Sequence, residues 1–258
     1  MSRTKDIRIH IIGGTGGMGK WFADFLRSKG YLVRVSGKDE EESIPALAAS
    51  ADVVVVAVPI HVTLETIAKV GPHMRHDGLL MDLTSLKAEP VRKMVECSRS
   101  EIIGLHPLFG PAVNRPKGEN VVLCPAGGRS WLPWVRDLFS EEGVNLVETS
   151  PEKHDEMMAY VQALTHLATV AMGLSLRNSG IEQEELLKFS TPAFRSRMAA
   201  VEKVFGENPR LYGDIMALNP HSTSIGERFQ SSVSRLMDFI GRKDSEGITR
   251  MMEKSVTL

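Results

Sequence analysis

The stretch from Ile7 to Lys29 limits the possible folds more than any other. An apolar run, Ile7–Ile12, leads through Gly14-Thr15-Gly16-Gly17-Met18-Gly19 into an amphipathic segment, Gly17–Lys29. Trp21, Phe22, Phe25 and Leu26 share one face of that segment, and Gly30 stops it. Strand, glycine turn and helix in this order open a βαβ unit, and the G-x-G-x-x-G spacing in that context marks a dinucleotide loop. The three glycines do different things. Gly14 allows the tight turn, Gly16 lets the backbone approach a pyrophosphate, and Gly19 lets helix and strand pack closely. The helix N-terminus adds free N–H groups and a partial positive charge for the phosphates.

The same alternation continues. Tyr31–Ser36, Ala51–Val58, Gly78–Leu83, Glu101–Leu105, Val121–Cys124 and Val144–Val147 read as strands. Ile44–Ala49, Val62–Val70, Ala88–Cys97 and Trp131–Glu142 read as helices. Alternating elements imply a parallel sheet with helices on both faces, and the β-branched run Ala51–Val58 suits a strand covered on both sides. The expected fold is α/β: a Rossmann-type, doubly wound, mainly parallel sheet over residues 1–150, followed by an all-helical C-terminal domain over residues 151–258. From Pro151 onward no strand pattern occurs, and breaks fall at Asn178-Ser179-Gly180, Thr191-Pro192, Gly206–Pro209, Asn219-Pro220 and Gly241.

Composition excludes several classes. A formal net charge of -1 over 258 residues gives no general pull toward nucleic acid or anionic membrane. The two cysteines make no disulfide framework and read as reduced thiols in a cytoplasmic protein. The polar N-terminus lacks the apolar region of a secretory signal, and Ala51–Val58 is too short to span a bilayer. No metal site is expected.

The strand ends carry the chemistry. An NAD enzyme places an acidic residue at the end of its second strand, for the ribose 2′-OH. Here the chain reads Arg34-Val35-Ser36-Gly37-Lys38-Asp39. Ser36 and Lys38 suit a 2′-phosphate, which favours NADP, while Asp39 as a displaced acceptor keeps NAD open. Val58 and Pro59 end the third strand, Ser85 follows the fourth and His106 the fifth. In a doubly wound sheet these ends converge above the nicotinamide. A neutral His106 imidazole, held in a turn by rigid neighbours, can take a proton from a substrate hydroxyl, and Ser85 can orient it. A lone histidine at a strand end is as often structural as catalytic.

The segments Gly13–Gly19, Asp82–Lys87, His106–Pro111 and Gln162–Gly173 resemble, in order along nearly the whole chain, the prephenate dehydrogenase family of tyrosine biosynthesis. His-Pro-Leu-Phe-Gly-Pro, followed some fifty residues later by Tyr-Val-Gln-Ala-Leu-Thr-His, is more specific than the glycine loop. The resemblance implies oxidative decarboxylation of prephenate to 4-hydroxyphenylpyruvate by a free-standing form without a fused chorismate mutase domain. It makes His106 the base or hydrogen-bond partner of the ring hydroxyl and Ser85 its partner, and it turns Gln162 and His166 toward the substrate. The family's carboxylate-binding arginine precedes a Leu-Tyr-x-Asp-Ile stretch, present here as Leu211–Ile215, but the matching position is Lys203. Lysine keeps the charge without the planar fork, so Arg195 or Arg197 is a candidate clamp; Arg195 lies eight residues before Lys203, close to two helical turns. Plainer readings stay open: a buried helix histidine for His166, surface charges for the cations. Arogenate is an alternative substrate. A β-hydroxyacid dehydrogenase, an imine reductase or a non-catalytic NADP sensor are alternative functions. A homodimer through the helical domain is also expected, because many apolar helical faces need cover.

Overall fold

The computed structural model describes residues 7–37 and 44–253; Lys38 and Asp39 lie outside the described residues. The chain forms two compact units. One takes the chain up to Met158 together with Gly213–Ile215; the other takes Ala159–Tyr212 and the chain from Met216 onward.

In the first unit the strands are β1 (Arg8–Ile12), β2 (Leu32–Ser36), β3 (Val53–Val56), β4 (Leu79–Asp82), β5 (Glu101–Pro107), β6 (Asn120–Ala126) and β7 (Asn145–Glu148). The helices are α1 (Gly17–Ser28), α2 (Ile44–Ser50), α3 (Ile60–Val70), α4 (Ala88–Cys97), α5 (Leu132–Ser140) and α6 (Pro151–Met158). The sheet order is β2-β1-β3-β4-β5-β6-β7. All neighbours are parallel except β5 and β6. The chain leaves β1 toward β2 on one side and returns to β3 on the other, so the loop after β1 lies at the switch point of a doubly wound sheet.

Burial follows the period-two alternation of strands. Val53 and Val55 join the core under α1 and α5, with Phe22, Leu26 and Phe139. Val54 and Val56 join the opposite core under α3 and α4, with Ile67, Val91 and Met94. Both faces are covered, as the β-branched run requires.

Two departures from the sequence reading matter for the site. First, β5 does not end at Leu105. No crossover helix separates β5 from β6, so the two strands pair antiparallel, and His106 lies opposite Val122 and Pro107 opposite Val121. His106 is therefore held within the sheet and not in a turn. Second, the compact unit built on the sheet runs past Ser150 to Met158. It includes α6, whose His154 and Asp155 are each 1% exposed. Burying two polar side chains needs partners, and these come from the first unit.

The second unit is helical throughout its described residues. It starts with a π-helical turn, Ala159–Leu164, followed by α7 (Thr165–Asn178), α8 (Gln183–Lys188), α9 (Pro192–Gly206), α10 (Pro209–Leu218), α11 (Ser222–Gly241) and α12 (Ser245–Glu253). Gly173 lets α7 approach α9: a Cβ there would stand 2.7 Å from the Phe205 ring. Thr191 and Asn208 cap α9 and α10 by accepting from Phe194 N and Leu211 N. The helical run Pro151–Asn178 is long and apolar enough to cross a bilayer by length and composition alone, with mean hydropathy 1.3 over its best window. Its first turns carry the buried His154 and Asp155.

Candidate active site

The glycine loop leaves β1 with Gly13, Gly14 and Gly19 pressed against neighbours and Gly16 and Gly17 open. Gly13 has φ +82, and a Cβ there would stand 2.6 Å from Ala57 O, so the tight turn falls on Gly13 and not on Gly14 as the motif suggested. At Gly14 a Cβ would meet the Val35 side chain at 2.7 Å, and at Gly19 it would meet Gly13 O at 2.2 Å, which is the close helix–strand approach expected there. At Gly16 a Cβ would meet nothing within 4 Å. That open side faces the N-terminus of α1, which has no side-chain cap. A pyrophosphate fits this donor set, with the Gly16–Gly19 backbone at the phosphates, and Thr15, Gly17 and Met18 complete the loop. Val58 stands against the same turn, its Cγ1 3.0 Å from the Cβ position of Gly13, and Pro59 precedes α3.

Ser36 departs from its expected role. Its side chain is buried, with Oγ 3.0 Å from His10 Nε2, and its carbonyl accepts from Gly13 N at 2.9 Å. It shapes the loop and does not offer its hydroxyl to a 2′-phosphate. Lys38, the other residue expected there, lies outside the described residues.

His106 is 4% exposed, and its Nδ1 lies 2.8 Å from His154 Nε2. His154 Nδ1 in turn lies 2.7 Å from Asp155 Oδ1. The Asp155 carboxylate also accepts from the backbone N–H groups of Lys87 (2.8 Å) and Ala88 (2.9 Å), at the N-terminus of α4. This chain fixes the tautomers. A carboxylate only accepts, so His154 carries its proton on Nδ1 and presents a bare Nε2. His106 must then donate from Nδ1, which leaves its Nε2 unprotonated, the form a general base needs. Burial, then His154, then Lys87 push the His106 imidazole well below the usual histidine range, which keeps it neutral. Burial likewise lowers His154, against the opposing pull of Asp155. Neither His154 nor Asp155 stood out in the sequence. The available signal was the adjacent His-Asp pair just before a long apolar helix.

Ser85 sits half-buried in the turn after β4. His106 is instead oriented at Nδ1 by His154. Among the described residues no group of three or more His, Cys, Asp or Glu is placed to hold a metal ion.

In the second unit, His166 is half-buried edge-on to Tyr212 (ring centroids 4.8 Å apart), and burial lowers its pKa. Gln162 lies in the π-helical turn. Arg195, Arg197 and Lys203 all fall on α9 and are exposed. The Arg195 guanidinium donates to Ser190 O and Ser190 Oγ, both at 3.0 Å. Arg197, with Thr165, Thr169 and Ser196, lines a groove of about 650 Å³ between α7 and α9, and His166 is not in its lining.

Models of two domains together match this chain from residue 33 onward: the prephenate dehydrogenase nucleotide-binding domain over residues 33–148 and the prephenate dehydrogenase dimerization domain over residues 150–254. The chain belongs to the prephenate dehydrogenase family. A probable arogenate/prephenate dehydrogenase of Methanocaldococcus jannaschii is 35% identical over 98% of this chain. The chain spans 61% of that relative's length, less than two thirds. A 4-amino-4-deoxyprephenate dehydrogenase of Streptomyces pristinaespiralis is 30% identical, covering 93% of this chain and 86% of its own. The crystal structure of prephenate dehydrogenase from Aquifex aeolicus, in complex with hydroxyphenyl propionate and NAD+, shares the fold: the TM-score is 0.78 at 19% identity, over 99% of this chain and 98% of that one. Membership of the prephenate dehydrogenase family agrees with the strand order, the glycine loop and the all-helical second unit.

Proposed function

We propose that this chain is an NAD(P)-dependent prephenate dehydrogenase of the cytoplasm that converts prephenate to 4-hydroxyphenylpyruvate and carbon dioxide. The observation that carries the reading is the Asp155–His154–His106 chain, which leaves a neutral, oriented Nε2 at the carboxyl end of β5. When bound, the nicotinamide dinucleotide accepts the hydride from the ring carbon that bears the hydroxyl. His106 Nε2 takes the hydroxyl proton as that carbon becomes a carbonyl, and Ser85 helps hold the oxygen. Loss of the ring carboxylate as carbon dioxide makes the ring aromatic, and the proton returns from His106 to the phenolic oxygen. The resemblance assigns the cations for the substrate carboxylates to Arg197, Arg195 and Lys203 on α9 and turns Gln162 and His166 toward the substrate.

The absence of an acidic residue from Arg34 to Gly37 favours NADP over NAD. The helical unit forms a homodimer. Support for this comes from its exposed apolar side chains, among them Phe189 (84% exposed), Met237 and Ile240. A second reading, arogenate as substrate, is supported by the names of the relatives.

The test is formation of reduced cofactor with prephenate and with arogenate, each with NAD and NADP. Turnover of prephenate with NADP at the lower KM supports the reading. Turnover of arogenate alone replaces the substrate, and equal or better use of NAD removes the NADP preference. Failure with both substrates overturns the function.

A further inference from the structure

Beneath His106 lies an ion pair that the proton-transfer steps above do not use. The side chains of Lys87 and Asp82 are both fully buried, and Lys87 Nζ is bonded to Asp82 Oδ2. Thr84 Oγ1 donates to the same carboxylate oxygen and lies 3.4 Å from Lys87 Nζ. Asp82 Oδ1 has no hydrogen-bond partner. The pair rests on β5 at Gly104, where a Cβ would stand 2.9 Å from Lys87 Cδ and 3.4 Å from Asp82 Oδ1. Gly104 and His106 are two residues apart on one strand, so they point to the same face. The missing side chain at Gly104 is therefore the space through which the lysine stem passes on the face that carries the base.

A buried ion pair is a poor device for stability. Its desolvation penalty often exceeds the mutual attraction, and apolar replacements of similar volume are commonly neutral or stabilising. Here the pair is also incompletely bonded at Asp82 Oδ1. Its position suggests another use. The charged groups that act on the two imidazoles are Lys87 ahead of α4, Asp82 on β4 and Asp155 on α6, and the same three act with Glu152 on the nearby thiol of Cys124 on β6. The Cys124 thiol is pushed up to about 12 by burial and stays neutral. Lys87 is the one cation of this set, and the acidic groups all favour protonation of the imidazoles.

We propose that Lys87 is a positioning residue whose buried ammonium, held by Asp82 in the space that Gly104 leaves, keeps His106 unprotonated and so sets the acid limit of catalysis. The same residue holds the other end of the relay, since its backbone N–H binds Asp155. Lys87 thus orients the carboxylate that fixes the tautomers and opposes the extra proton that this carboxylate would attract. The inference rests on His106 being the base.

The test compares the wild type with Lys87→Met and with the double substitution Asp82→Asn/Lys87→Met, in the full chain. The double variant removes both charges with side chains of similar size and keeps the fold testable if Lys87→Met alone does not fold. NMR titration of the labelled His106 imidazole reads its protonation without any turnover. In folded Lys87→Met the imidazole titration moves up by about one pH unit or more; in the double variant, which also loses the Asp82 charge that favours protonation, it moves up by less, and the acid limb of kcat/KM moves with it. An unmoved titration in the folded double variant overturns the proposal and leaves the pair as scaffold. A moved titration with no turnover of prephenate or arogenate in the wild type supports the role of Lys87 and instead counts against the proposed activity.

Discussion

His154 Nε2 lies 2.8 Å from His106 Nδ1, joining the first turns of α6 to the last residues of β5 across 48 positions of sequence. This contact gives His106, the proposed base, a defined lone pair, because Asp155 settles the tautomer of His154 and His154 settles that of His106.

Replacing His106 by Asn removes the proton acceptor and keeps a polar side chain. The expected outcome is a fall in kcat of about 10²–10⁴-fold, with a modest change in the KM for prephenate, measured by steady-state kinetics. Wild-type turnover would remove His106 from the mechanism.

Asp155→Asn tests the relay itself. An amide can donate to His154 Nδ1 and so allow the opposite tautomer, which turns the lone pair of His106 away from the substrate. A loss in kcat of about 10²-fold or more is expected, with cofactor affinity unchanged. Equal loss of cofactor binding would show that the substitution acts through the fold.

The glycine loop separates two kinds of glycine. Gly19→Ala forces a Cβ to 2.2 Å from a backbone oxygen and should cost about 1–3 kcal/mol of stability, seen as a lowered Tm. Gly16→Ala meets no protein atom within 4 Å, so Tm should hold while the Kd for cofactor rises. Isothermal titration of the apoprotein with NAD and NADP reads the second effect. A Gly16→Ala protein with normal affinity would move the pyrophosphate elsewhere.

Stability should fall on the acid side. The folded-state pKa values of His106 and His154 lie below the ordinary histidine value. The unfolded chain therefore binds more protons as pH drops below about 6.5. Stability from keeping these rings neutral is present above that pH and is lost as pH falls toward the folded values, at up to about 1.4 kcal/mol per pH unit for each group. Urea unfolding at successive pH values should show this slope, and His106→Asn should make it shallower.

Arg197→Ala should raise the KM for prephenate with little effect on kcat, since binding charge acts on ground state and transition state alike. Arg195→Ala should do the same to a lesser degree, because its guanidinium is already engaged by Ser190. If neither KM changes, the carboxylate clamp is not on this part of α9.

Most of the first unit was legible because its signals are local. The run Val53–Val56 needs cover on both faces wherever it lies, and the spacing of Gly14, Gly16 and Gly19 states its own geometry. Even there, the residue that makes the turn is Gly13, since the clash that demands glycine comes from Ala57, far along the chain. Ser36 was misread for the same reason: its identity suggested a phosphate ligand, but His10 on the neighbouring strand takes its hydroxyl.

By itself the sequence determined a doubly wound sheet, a dinucleotide loop, a helical second half and a histidine at the end of the fifth strand. Periodicity, turn chemistry and the short range of backbone sterics decide these. Only the tertiary structure decided that α6 belongs with the sheet, that His154 and Asp155 stand behind His106, and that Lys87 is buried against Gly104. These relations arise from pairing and packing between segments far apart in the chain. A buried polar group takes its charge, tautomer and role from those partners.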